Sequence, residues 1–140
     1  MTNQEETIHA STVSIGGRGV MLLGPSGSGK SDLALRLIDR GALLVSDDYT
    51  HIARSGSQLM ASAPSTIAGR LEVRSLGIIP VDHIDDVAVA LAVRLQHDSE
   101  RMPERQVEHF LGVPVRLLFL DPRPASAPLV VEHALRHDLP

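Results

Sequence analysis

The residues best equipped for chemistry form one octapeptide. Gly24 to Ser31 reads GPSGSGKS, a full match to the spacing G-x-x-x-x-G-K-[ST]. Gly24, Gly27 and Gly29 allow the backbone to curl until several N–H groups converge on phosphate oxygens. Pro25, Ser26 and Ser28 complete the same nucleotide-binding loop. Lys30 has the reach to contact β- and γ-phosphates, and the Ser31 hydroxyl can ligate magnesium. A helix beginning at the end of the loop adds the positive end of its dipole. Basic-residue usage supports this reading independently. Of 13 Lys and Arg residues, Lys30 is the single lysine. The chain uses Arg wherever a generic positive charge serves and keeps its compact ammonium for the loop.

Asp47 and Asp48 come next, at the end of the strand that follows the loop's helix. In a parallel sheet that strand end lies beside the phosphate loop, and this arrangement is the expectation. One carboxylate there can hold magnesium, directly or through water. The other can accept a proton from an attacking hydroxyl. The plainer alternative is a solvated turn. Aspartates this early after the loop favour a kinase over a motor ATPase. His9 precedes the loop on a strand, where histidine is ordinarily a satisfied structural residue. Glu72 and Arg74 alternate on a short strand, the usual pattern of a solvated face. His133 and His137 lie one helical turn apart, which without a third ligand reads as a surface pair.

The elements that position these groups follow from apolar patterning. Ile8 to Ile15 reads as a strand, and Val20 to Leu23 as a short strand buried on both faces. Ser31 to Arg40 has helical spacing, with Leu33, Ala34, Leu37 and Ile38 on one face and Gly41 as its stop. Leu43 to Val45 is a strand. Thr50 to Ala53 and Gln58 to Ala61 suggest a hairpin, and Leu71 to Val73 and Ile78 to Val81 flank a break at Gly77. Val87 to Leu95 alternates with period two and reads as a strand. Arg101 to Pro114 reads as irregular, Val115 to Leu120 as a strand and Leu129 to His137 as a helix. The expected fold is a single α/β domain over residues 1–140, with a largely β core and few helices.

Composition narrows the function classes. A net charge of −4 without a long basic run argues against a nucleic-acid partner. The absence of cysteine removes disulfides, zinc thiolates and thiol catalysis. No apolar stretch reaches membrane-spanning length, and the polar, acidic start MTNQEETIHAS lacks the pattern of a secretory signal. A cytoplasmic location is the default.

Taken together, these residues resemble the catalytic domain of the HPr kinase/phosphorylase family, bacterial serine kinases acting on the phosphocarrier protein HPr. IHAS is similar to the family's histidine-containing strand before the phosphate loop. GPSGSGKS followed by LALRLIDRGALLVSDD resembles its loop, helix and paired aspartates. LEVRSLGIIPV is similar to the signature LE[IV]RGLGIINV, departing at Ser75 and Pro80. The resemblance implies ATP and Mg2+ as cofactors and a fold like the nucleotide domain of phosphoenolpyruvate carboxykinases. It implies an HPr-type partner within the phosphotransferase system and a homo-oligomer, commonly a hexamer. By the same resemblance, Lys30 would bind phosphate, and Ser31 and Glu72 would bind magnesium. Asp48 would be the proton acceptor, with His9 beside it. Of the two strand-end carboxylates, Asp47 is then the one expected at the metal site. Arg101 best matches the family's catalytic arginine. The reverse reaction, phosphorolysis of phosphoserine, is linked in the family to an RPGR loop. That loop has no clean match here, and Arg116 or Arg123 is an imperfect substitute. The long family members carry an additional N-terminal domain, and the chain resembles the short form. Two other classes stay open on the residues alone. One is a small-molecule kinase with the same loop, which would be more helical. The other is a nucleotide-sensing regulator without transfer chemistry.

Overall fold

The computed structural model describes residues 4–98 and 101–137. Its elements are β1 (Glu5–Ile15), β2 (Arg18–Leu23), α1 (Lys30–Asp39), β3 (Leu43–Ser46), β4 (Tyr49–Ser55), β5 (Gln58–Ser62), β6 (Arg70–Val73), β7 (Gly77–Pro80), β8 (Val87–Leu95), β9 (Gln106–Phe110), β10 (Val113–Leu120) and α2 (Ala127–Arg136). The fold is α/β with a largely β core, as its sequence implies.

Two long strands organise the sheet by changing partners along their length. The first half of β1 pairs with β4, and its second half runs between β2 and β3. The start of β8 pairs with β5, and the rest lies parallel between β2 and β10. β6 and β7 form a separate antiparallel hairpin. Burial explains the apolar runs. Val20 and Leu22 of β2, with Leu91 and Val93 of β8, pack under Leu33, Ala34 and Leu37 of α1 and Val131 of α2. Met21 and Leu23 point the other way, onto Ile52 of β4 and Leu59 of β5. With both faces covered, β2 has no reason to alternate.

Three expectations need correction. The strand after the loop's helix does not pair in parallel beside β2. β3 pairs antiparallel with β1, which separates it from β2. Arg101 to Pro114 is not irregular throughout, because β9 and the start of β10 form a hairpin there, with Phe110 opposite Val113. The hairpin was hidden by its turn. Leu111 and Gly112 both have positive φ, 51° and 81°, which is the geometry of a two-residue type I′ turn. Leucine is a poor advertisement for it. Pro114 is tolerated because it lies before Arg116, where the pairing of β10 with β8 begins. Finally, α2 starts at Ala127 rather than Leu129, with Pro128 in its first turn, where its missing N–H is harmless.

Candidate active site

The phosphate loop leaves the end of β2 and enters α1. A Cβ on Gly24 would stand 2.5 Å from Ser28 Oγ, whereas one on Gly27 would meet nothing within 4 Å. The loop therefore closes on itself at Gly24 and is open at Gly27, where φ is 83°. Gly29 starts α1 without a side-chain cap, so the first-turn N–H groups remain directed outward for an anion. Lys30 is buried, and its Nζ donates to the carbonyl oxygens of Gly24 at 2.7 Å and Pro25 at 3.0 Å. Burial pushes the ammonium pKa down, and the charges of Asp48 and Asp47 oppose that shift. Ser28 Oγ is buried with no hydrogen-bond partner among the described residues. An orphaned hydroxyl, uncapped helical N–H groups and a lysine at one loop fit a phosphate chain. A cleft of about 280 Å3, bordered by Pro25, Ser26, Gly27, Ser28, Leu95, Gln96 and His97, opens beside it.

The aspartates reach the loop by a route other than parallel pairing. β3 and β4 both run antiparallel to β1, with Thr12 opposite Ser46 and His9 opposite Tyr49. Asp47 and Asp48 span the interruption, facing Ala10 and Ser11. Asp47 is buried and receives donors from three elements. Ser31 Oγ donates to its Oδ1 at 2.7 Å, Ser11 Oγ to the same oxygen at 2.8 Å, and the Glu72 N–H to Oδ2 at 3.0 Å. Asp48 has φ of 68° and turns away from Asp47. His9 Nε2 lies 2.7 Å from its Oδ1 and is the donor there, because a carboxylate only accepts. The His9 ring stacks on Tyr49 with centroids 5.3 Å apart. The Asp48 side chain is 52% exposed, so an incoming hydroxyl can approach it.

The structure thus gathers His9, Lys30, Ser31, Asp47 and Asp48, and it brings the backbone of Glu72 against Asp47. The Glu72 side chain is exposed. Among the described residues no three His, Cys, Asp or Glu side chains cluster tightly enough to hold a metal by themselves. The oxygen donors Ser31, Asp47 and Glu72 still suit magnesium, which takes one or two protein ligands and completes its shell with water and substrate phosphates. Arg101 is not brought into this group. It is exposed and makes no hydrogen bond or ion pair among the described residues. Arg116 serves α2, donating to the carbonyls of Ala134 and His137. Arg123 pairs with Asp121 and donates to the His97 carbonyl at the rim of the cleft. His133 and His137 stack on each other as a pair. Ser11 belongs to the site and was not anticipated. The available signal was its spacing, because residues two apart on a strand share a face and Ser11 follows His9 by two.

The arrangement defines a phosphate-loop domain with an exposed carboxylate held beside the loop. Comparison with known proteins makes the class specific. Residues 1–116 match the model of the HPr Serine kinase C-terminal domain, and the chain belongs to that family. It is 34% identical over 143 residues to the HPr kinase/phosphorylase of Clostridium botulinum strain Eklund 17B, covering 93% of this chain and 47% of that protein. It is 36% identical over 138 residues to that of Prosthecochloris aestuarii, covering 89% and 41%. The chain spans about half the length of these curated relatives. Among solved structures, the Hpr(Ser) kinase/phosphatase from Coxiella burnetii superposes with a TM-score of 0.82 at 31% identity, over 94% of each chain. No helix among the described residues is long and apolar enough to cross a membrane.

Proposed function

We propose that this chain is an ATP- and Mg2+-dependent serine protein kinase acting on an HPr-type phosphocarrier in the cytoplasm. The observation that carries the reading is the exposed Asp48 carboxylate, fixed by His9 next to the Lys30–Ser31–Asp47 end of the phosphate loop. Lys30 exchanges its carbonyl partners for phosphate oxygens. Ser31 and Asp47, with Glu72 alongside, would hold the magnesium, which would supply positive charge to the phosphate oxygens. Asp48 accepts the proton of the target serine as its hydroxyl attacks the γ-phosphorus. A serine hydroxyl is a weak nucleophile, and a carboxylate at hydrogen-bond distance contributes a rate factor of about 10²–10⁴. His9, by donating to Oδ1, keeps Asp48 turned toward the acceptor. In the reverse direction an oxygen of inorganic phosphate attacks the phosphorus of phosphoserine, the P–O bond to serine breaks as pyrophosphate forms, and Asp48 returns the proton to the departing serine oxygen. Arg116, one substitute for the arginine linked to that direction, is committed to α2. By family likeness the working unit is a homo-oligomer.

Incubation with radiolabelled ATP, magnesium and HPr should give acid-stable phosphoserine on HPr. Asp48→Asn should lower transfer by about 10³-fold while ATP binding stays within about twofold of the unmutated chain. Transfer persisting in Asp48→Asn removes Asp48 as the base. ATP binding with no label on HPr returns the chain to the sensor class.

A further inference from the structure

We infer that Ser11 is a positioning residue for the proton acceptor, acting through both aspartates at once. The inference rests on the reading of Asp48 as the base. Ser11 is fully buried on β1, opposite the point where the pairing of β3 gives way to that of β4. The pairs that flank the gap, Thr12 with Ser46 and His9 with Tyr49, share one register. Asp47 and Asp48 are lifted out of the ladder between them, and a β-bulge at Val45 shifts the register of β3 one pair further on, between Thr12 and Val13. Such a gap leaves backbone groups without ladder partners, and buried backbone N–H groups need one. The Asp48 N–H finds it in Ser11 Oγ at 3.0 Å. The same hydroxyl donates to Asp47 Oδ1 at 2.8 Å.

The direction of both bonds is forced. A backbone N–H can only donate and a carboxylate can only accept, so the single hydroxyl proton goes to Asp47 and a lone pair faces Asp48. Ser11 thereby sets where the Asp48 backbone lies relative to a carboxylate that is itself anchored to Ser31 of the loop. Asp48 also sits at φ of 68°, a left-handed conformation that an L-residue keeps only where the surroundings impose it. His9 holds the side-chain end of Asp48 and Ser11 the amide end. The two grips come from residues two apart on one strand face. The neighbouring Thr12 and Thr50 secure the same seam, since Thr50 Oγ1 donates to the Ala10 carbonyl and its oxygen accepts from Thr12.

Removing the hydroxyl releases the Asp48 amide and takes one donor from Asp47, which keeps its bonds from Ser31 and the Glu72 N–H. Ser11→Ala should lower kcat for phosphoryl transfer by about tenfold or more while KM for ATP changes less than about twofold. Ser11→Thr, which keeps the hydroxyl, should recover most of the rate. Amide hydrogen exchange gives a readout independent of activity. The Asp48 amide should be protected in the unmutated chain and exchange about tenfold faster in Ser11→Ala, with the Thr50 amide unchanged. An unprotected Asp48 amide in the unmutated chain overturns the inference, even if Ser11→Ala fails to fold. So does a Ser11→Ala rate within about twofold of normal, or a parallel loss of kcat and ATP affinity. If the unmutated chain transfers no phosphate to HPr, the kinase reading fails by itself, and the exchange experiment still decides whether Ser11 fixes Asp48.

Discussion

Two Asp-centred assemblies stand beside the phosphate loop, and they are built differently. At Asp47 the donors come from β1, α1 and β6, elements far apart in the chain. At Asp121 one partner is Arg123, two residues on, which binds it through both side chain and backbone N–H. Both lie near the loop. Asp47 touches Ser31, and Pro122 lies within van der Waals reach of the position a Cβ on Gly29 would take. Arg36 of α1 ties down the second segment by donating to the carbonyls of Pro122 and Pro124. The difference teaches where function resides. A carboxylate held by three elements reports the relative placement of all three and can couple the phosphate loop to the neighbouring Asp48. The Asp121–Arg123 contact, made within one loop, reports the shape of that loop.

The most severe way to test this contrast is at Lys30. Its ammonium threads into a buried space and reaches two loop carbonyls. A guanidinium keeps the charge but is wider and planar. Lys30→Arg should reduce ATP affinity, read by calorimetry, and transfer to HPr, each by about 10²-fold or more. Retention of both would mean that the loop needs only a charge and that the single lysine in the chain is incidental.

Arg123 gives a smaller effect by the same logic. Its bonds go to Asp121 and to the His97 carbonyl, not to the phosphate loop. Arg123→Ala should therefore change the kinase rate by less than about threefold. A fall of about tenfold or more would break the contrast and make the Asp121 loop part of the transfer machinery.

Legibility follows the same division. GPSGSGKS and Asp47-Asp48 were readable because each is a contiguous run with its own chemistry, and apolar patterning placed them on a loop and a strand end. The route between them was not readable. Loop-to-carboxylate proximity was expected from parallel pairing, but it arises from an antiparallel strand, β1, lying between β2 and β3. Ser11 could not stand out, because a lone serine carries no motif and its role exists only once β3 and β4 have docked on β1. The β9–β10 hairpin was missed because Leu111 occupies a position with φ of 51°, where the usual signal is Asn, Asp or Gly. Ser75 is a similar case, a non-glycine at φ of 80° where the family signature has glycine. Arg101 was placed by likeness in a segment whose spacing differs, and the fold leaves it exposed.

The mildest test concerns acid. The Arg123 side chain, then its backbone N–H, holds the Asp121 carboxyl well below the ordinary carboxylate value, at about 2 against 3.8. A depressed folded-state pKa contributes stability above the unfolded value and loses it as pH falls through the folded one. The contribution of this pair is thus intact at neutral pH and disappears between about 3.8 and about 2. Because the arginine is exposed, solvent screens the pair, and Tm should not change between about pH 5 and 8 on its account. A carboxyl-carbon NMR titration should give a midpoint near 2 for Asp121. Arg123→Ala should move the midpoint up only part of the way to the ordinary value, because the backbone N–H of residue 123 still donates to Oδ1. A full return would assign the whole depression to the guanidinium. No movement would mean that a group outside the loop holds Asp121 as well, and the Asp121 assembly would then resemble that at Asp47.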